Sequence, residues 1–307
     1  MTEHSADLVE RVVAGDRRSL ARAISAVEDA ENIPLLASLH AHGGHTRVVG
    51  LTGAPGTGKS TLTDRLISQA RERGLAVGVI AVDPSSPFTG GAVLGDRVRM
   101  QDHILDPGVY VRSMSTRGAL GGLSTATEAA LVVLDAAGFD LVFVETVGVG
   151  QSEVDVMALV DTTVVVVAPG FGDGVQAAKA GILEIGDIFV VNKADQPGAD
   201  AVVADLTQML ELGVRGGWSP PIVRTSAIES SGIGEVWDAI ERHRAQLGGP
   251  DGDVGRRERA AHAVRRALLA RLGRQTATRE IPSDLVEGIL RRDFDPWTAA
   301  ERLVQSD

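Results

Sequence analysis

Apolar residues along this chain fall into two alternating patterns. Short runs are apolar at nearly every position, as in Leu141-Val142-Phe143-Val144 and Val164-Val165-Val166-Val167. Between them lie longer stretches whose apolar residues stand three or four apart, as Leu62, Leu66 and Ile67 do. A run with no polar face suits a strand covered on both sides, and the wider spacing marks one face of a helix. Strands are predicted at 46–52, 76–82, 109–113, 140–145, 162–168, 187–192 and 221–225. Helices are predicted near 60–73, 122–137, 153–160, 174–185, 199–212 and 233–247. Strand–helix alternation of this kind builds an α/β fold, a mostly parallel, doubly wound sheet with right-handed crossovers. Ligands of such sheets bind at the carboxyl ends of the strands.

The flanks read differently. Residues 5–42 place Leu8, Val9, Val12, Val13, Leu20, Ile24, Val27, Leu35, Leu36 and Leu39 at helical spacing, which predicts two or three helices packed on the sheet domain. Gly248-Gly249-Pro250-Asp251-Gly252-Asp253 has the composition of a linker. Beyond it a basic helix is predicted over 256–274, carrying Ala263, Leu268 and Leu272, and two short helices near 282–292 and 296–305. The expected organisation is a helical extension over 1–44, a nucleotide-binding domain over 45–248 and a helical arm over 249–307.

The first candidate chemistry follows the first strand. Gly53-Ala54-Pro55-Gly56-Thr57-Gly58-Lys59-Ser60 fits G-x-x-x-x-G-K-[S/T] and sits between a predicted strand and a predicted helix, the context that the pattern needs. Glycines let successive N–H groups curl toward phosphate oxygens, and the start of the helix turns its positive end on the same anion. Lys59 is placed to reach the β- and γ-phosphates and Ser60 to ligate Mg²⁺. Residues Gly53 to Thr61 are the candidate phosphate contacts, in the sheet of a P-loop NTPase.

Asn192-Lys193-Ala194-Asp195 follows another strand and has the N-K-x-D form of a guanine-reading loop. A carboxylate at Asp195 can accept from both N1–H and the 2-amino group of guanine, whereas adenine offers neither donor. Sites built on such a match reject analogues lacking it by as much as ~10⁴-fold. Asn192 and Lys193 would brace the loop, and Thr225-Ser226-Ala227 at the end of the last strand resembles the element whose main-chain N–H, at Ser226-Ala227, meets guanine O6.

Glu145 ends the strand Leu141–Val144, with Gly148 three residues later. The sequence is E-x-x-G where GTPases commonly carry D-x-x-G, and Val149 cannot orient an attacking water. Asp83 closes another strand and opens a Gly-, Ser- and Pro-rich loop leading to Asp96. Asp83, Asp96 and Glu145, with the Ser60 hydroxyl, supply the hard oxygen donors that Mg²⁺ prefers. Lys59, Asp83 and Glu145 are the candidate catalytic side chains.

Composition narrows the partners. Glycine counts 36 of 307 residues, above the usual ~7%, in keeping with many tight loops. A net charge of −11 with 3% aromatic residues is the opposite of a nucleic-acid surface. There are no cysteines, which excludes disulfides and thiolate chemistry and fits a reducing cytoplasm. Seven scattered histidines give poor support to a nickel-carrying role. The start of the chain has no signal-peptide pattern, and the longest apolar run, Val164–Ala168, is too short to span a bilayer.

Taken together, Gly53–Ser60, Val82-Asp83-Pro84-Ser85-Ser86, Gly95-Asp96-Arg97-Val98-Arg99-Met100, Glu145-Thr146-Val147-Gly148-Val149-Gly150-Gln151-Ser152-Glu153 and Asn192–Asp195 resemble the GTPase chaperones of adenosylcobalamin-dependent methylmalonyl-CoA mutase. Some members of that family have been labelled amino-acid transport kinases. The likeness runs from about residue 10 to the C-terminus, and Glu145 in place of aspartate is typical of it. It implies a homodimeric GTPase related to the signal-recognition and nickel-insertion GTPases, binding GTP or GDP with Mg²⁺. It also implies that the loop 170–179, through Asp173, Gln176 and Lys179, relays nucleotide state to the mutase. The residues past about 255 would be a dimerisation arm with Phe294 and Trp297 as anchors. A kinase using ATP is the alternative reading, and a nickel metallochaperone a third.

Overall fold

The structure, a computed structural model, describes residues 3–28, 32–83, 103, 105–115, 122–146, 156–170, 185–212, 217–248, 250–277 and 279–305. Seven strands form one sheet: β1 (Arg47–Thr52), β2 (Val77–Asp83), β3 (Val109–Ser115), β4 (Leu141–Thr146), β5 (Thr162–Val167), β6 (Ile188–Val191) and β7 (Ile222–Arg224). Their order is β3-β2-β4-β1-β5-β6-β7, and every pairing is parallel. The sequence changes direction across the sheet at β1. That places the loop after β1 at the crevice where such sheets bind nucleotides.

The central strands β4 and β5 are buried at all six positions, and their alternate residues feed opposite cores. Val142 and Val144 join the core on one face, and Leu141 and Phe143 join the core on the other. The first face is covered by three N-terminal helices, α1 (Glu3–Val13), α2 (Arg17–Val27) and α3 (Ile33–His40), together with α5 (Gly122–Ala136). The second face is covered by α4 (Lys59–Glu72) and α7 (Ile233–Leu247). Between these last two in sequence, α6 (Ala199–Leu212) packs on β6 and β7.

The N-terminal helices are part of this body. Val12, Ile24, Val27 and Leu39 are fully buried. Asp16 caps α2 by accepting from the Ser19 N–H at 2.8 Å. Arg17 donates to the carbonyl oxygens of Asp106 and Val109 at the start of β3. Asp135, at the end of α5, accepts from the N–H groups of Gly44, His45 and Thr46 and so ties down the segment leading into β1.

The linker expected at 248–253 is corrected by a helix. This long helix, α8 (Pro250–Ala277), starts only two residues after Gly248, the C-cap of α7. Proline at the first turn of a helix needs no N–H partner and has its φ already set, so a Gly-Pro stretch can open a helix as well as end one. By its contacts the chain divides within α8 into two compact units, Met1–Arg266 and Ala267–Asp307. In the second, α9 (Ser283–Leu290) and α10 (Pro296–Gln305) fold together. Phe294 lies against Gly288, where a Cβ would stand 2.3 Å from its ring, and under the Arg302 guanidinium at 4.2 Å. Trp297 is 83% exposed.

Candidate nucleotide site

The loop between β1 and α4 has the backbone that its glycines predict. Gly53, Gly56 and Gly58 all lie at positive φ. At Gly53 a Cβ would stand 2.0 Å from the carbonyl oxygen of Val166, so only glycine lets the loop pass this close to β5. Gly58 caps α4 in the left-handed conformation, and a Cβ there would stand 2.3 Å from Nδ2 of Asn192. Thr57 closes the turn by donating its hydroxyl to the Ala54 carbonyl at 2.9 Å. Pro55 and Gly56 form the exposed tip, while Ala54 and Thr61 are half-buried.

Lys59 is buried, and its ammonium donates to the carbonyl oxygens of Gly53 and Ala54 at 2.7 and 3.1 Å. The cation is thus held on the inner side of the loop that it is expected to serve.

Ser60 is the second residue of α4, and its hydroxyl donates to Oε1 of Glu145 at 2.5 Å. Both residues are buried. Register explains the meeting: Glu145 sits beside Leu51 of β1 on one side and Ala81 of β2 on the other. Asp83 follows Ala81 by two positions, so the main chain brings it to the same strand ends as Glu145. A buried carboxylate needs hydrogen-bond or cation partners to offset its desolvation.

Asn192, 2% exposed, joins three segments. Its Nδ2 donates to the carbonyl of Thr57 at 2.8 Å. Its Oδ1 accepts from the Thr225 hydroxyl and from the Ala227 N–H, each at 3.0 Å. Lys193 adopts φ 57, and the Ala194 N–H reaches the Thr225 carbonyl at 2.9 Å. That turn carries Asp195 out to an exposed position. The two N–H groups of Ser226-Ala227 are engaged within the chain, the first by Ser231 and the second by Asn192. Thr225, read in the sequence only as the residue leading into Ser226-Ala227, is the hydroxyl that anchors Asn192.

The structure therefore gathers Gly53–Thr61, Glu145, Asn192, Lys193, Asp195, Ser226 and Ala227 at the carboxyl edge of one sheet. Asp96, Gly148, Asp173, Gln176 and Lys179 lie outside the described residues, as does the side chain of Asp83. No helix among the described residues is long and apolar enough to cross a membrane.

The family described as "Methylmalonyl Co-A mutase-associated GTPase MeaB" matches residues 20–279. The chain belongs to this MeaB family. As a MeaB-family protein it is a P-loop GTPase and binds guanine nucleotide. A protein of Pyrococcus horikoshii named as a GTPase is 47% identical over 308 residues, 97% of each chain. A mouse protein named "Methylmalonic aciduria type A homolog, mitochondrial" is 38% identical over 221 residues, 70% of this chain and 53% of its own. The solved structure of an "LAO/AO transport system kinase" superposes with a TM-score of 0.73 at 27% identity, covering 99% of this chain and 98% of that one.

The loop Gly53–Ser60 and the loop Asn192–Asp195 stand at the same edge of the sheet, joined by the hydrogen bond from Asn192 to Thr57. Asn192 thus fixes the distance between the two.

Proposed function

We propose that this protein is the GTP-dependent chaperone of an adenosylcobalamin-dependent acyl-CoA mutase, with methylmalonyl-CoA mutase as its partner. The mutase association in the family's description carries the reading, and the name of the mouse relative points to the same metabolism. The GTPase cycle would be coupled to loading, protecting and replacing the mutase's cofactor.

In this reading Asp195 accepts from the guanine edge, and the amides of Gly53–Ser60 hold the phosphates. Lys59 leaves the Gly53 and Ala54 carbonyls to meet the β- and γ-oxygens. Ser60 and Glu145 fit a small hard cation: two oxygen donors already stand 2.5 Å apart beside the phosphate loop. They would hold Mg²⁺ with Asp83 and Asp96, and the ion would neutralise charge on the phosphate oxygens. No arginine finger is assigned among the described residues, and GTPases without one turn over as slowly as ~10⁻⁴ s⁻¹. The partner then supplies the ordering of the loops, through Asp173, Gln176 and Lys179.

A homodimer built on the C-terminal arm belongs to the same proposal. In the second unit Leu268 and Leu272 stand one turn apart on α8 and are exposed at 54% and 47%. Such a pair fits a partner helix better than water.

The test is capture of the mutase from the protein's own cell extract with a non-hydrolysable GTP analogue present. Recovery of a cobalamin-dependent acyl-CoA mutase, lost when GDP replaces the analogue, is expected. Its absence under both conditions overturns the partner. A kinase is the second reading, favoured by the name that the LAO/AO protein carries. ATP-dependent phosphate transfer to an amino acid or protein, with no GTP preference, would be its sign.

A further inference from the structure

At the edge of the sheet opposite the phosphate loop, the first residues of β1, β4 and β5 and one side of α7 line an open cavity of about 310 Å³. That is within the range of small-molecule sites, ~300–1,000 Å³. Trp237, Ile240 and Leu247 give it an apolar wall. Trp237 is held by Arg73, the C-cap of α4, whose guanidinium lies 4.6 Å from the ring centroid.

The polar groups are gathered at one side. Arg47 and Arg244 both donate to Glu241, at 2.7 and 3.2 Å, so two cations share one carboxylate. Arg244 is the more exposed of the two, 56% against 23% for Arg47. The other acid of the lining, Asp161, gives one oxygen to the Val48 N–H at 2.9 Å. A guanidinium has five donors in a planar fork, and one carboxylate contact leaves room for a second. The cavity thus combines an apolar wall with a cation able to take another anion.

We propose that this cavity binds a small carboxylate with an apolar body, the body against Trp237 and Ile240 and the carboxylate on Arg244. None of these residues belongs to the nucleotide site, so the proposal stands apart from the GTPase reading.

The probes are 4-bromobenzoate, 4-bromobenzyl alcohol and 4-bromobenzylamine, titrated into the full chain by calorimetry, with soaked crystals to locate the bromine. The acid should bind one to one, at least about tenfold more tightly than the alcohol or the amine, the worth of one charge-assisted hydrogen bond. Its bromine should lie in the cavity. Arg244→Gln should bring the acid down to the affinity of the alcohol and leave the alcohol unchanged. Leu247→Trp, which fills the mouth, should remove binding of both; if that variant does not fold, the smaller Leu247→Phe serves the same purpose. A bromine found elsewhere, equal affinity for acid and amine, or binding untouched by the filling variant overturns the proposal.

Discussion

The side-chain amide of Asn192 donates to the main-chain carbonyl of Thr57 at 2.8 Å, across 135 positions of sequence. The two ends of the nucleotide site are therefore hydrogen-bonded to each other within the protein. The same side chain accepts from Thr225 and Ala227, so its loss orphans three buried partners. Asn192→Ala should destabilise the fold by roughly 2–4 kcal/mol, since each unsatisfied buried group costs about 1–3 kcal/mol and part will relax. It should also weaken GTP binding at least about tenfold, the equivalent of 1.4 kcal/mol. Urea unfolding and nucleotide titration measure the two effects separately.

Glu145 meets Ser60 at 2.5 Å in a buried setting. Glu145→Gln keeps an acceptor for the Ser60 hydroxyl but removes the negative charge. GTP binding measured in EDTA should hardly change, because the phosphate loop is untouched. The gain in affinity on adding Mg²⁺ should shrink by at least about tenfold, as expected when a hard cation loses a carboxylate donor. An undiminished Mg²⁺ response would remove Glu145 from the metal site.

Asp135 carries a pH dependence. Burial alone would raise its pKa, but the N–H groups of Thr46, Gly44 and His45 and the Thr46 hydroxyl outweigh burial and hold it below the usual carboxylate value. A lowered folded-state pKa contributes stability that is present above the unfolded value, ~3.9, and lost as pH falls through the folded one. Asp135→Asn should cost about 1–2 kcal/mol at pH 7, since one of its two acceptor oxygens becomes a donor. The gap between wild type and variant should narrow in urea titrations repeated at pH 3. A constant gap would show that charge has no part in the clamp.

Much of this architecture can be read without coordinates, and the physical reason is local. Runs such as Leu141–Val144 and Val164–Val167 have no polar face, so they must be interior strands, and they are. Gly53, Gly56 and Gly58 announce a backbone that other residues resist. The clamps are not legible in this way. Asp135 finds its amides 89 to 91 positions away, and Asn192 meets Thr57 only once β1, β5 and β6 lie side by side. No spacing rule reaches that far. The stretch at 248–253 misleads for a different reason: Gly and Pro punctuate chains, but Pro250 is also a good first residue for a helix. Asp96 and Gly148 rest on sequence pattern and the loop with Lys179 on resemblance alone, since all lie outside the described residues.

In the proposed reading the base is recognised by Asp195, which the left-handed turn at Lys193 carries to an exposed position. Asp195→Asn replaces an acceptor with a group that can donate, which suits the 2-oxo group of xanthine and not the 2-amino group of guanine. Affinity should move from GTP toward xanthosine triphosphate by several orders of magnitude in sum, up to the ~10⁴ that matched polar sites achieve. An unchanged preference would separate Asp195 from the base.

The most direct measurement is a competition between GTP and ATP for the wild-type chain, followed by calorimetry with Mg²⁺ present. A loop that cradles phosphates and a distant carboxylate that accepts from guanine together predict GTP binding tighter by about 10³-fold or more, within the discrimination that unpaired buried polar groups produce. Equal affinity for the two nucleotides, or tighter binding of ATP, would contradict it.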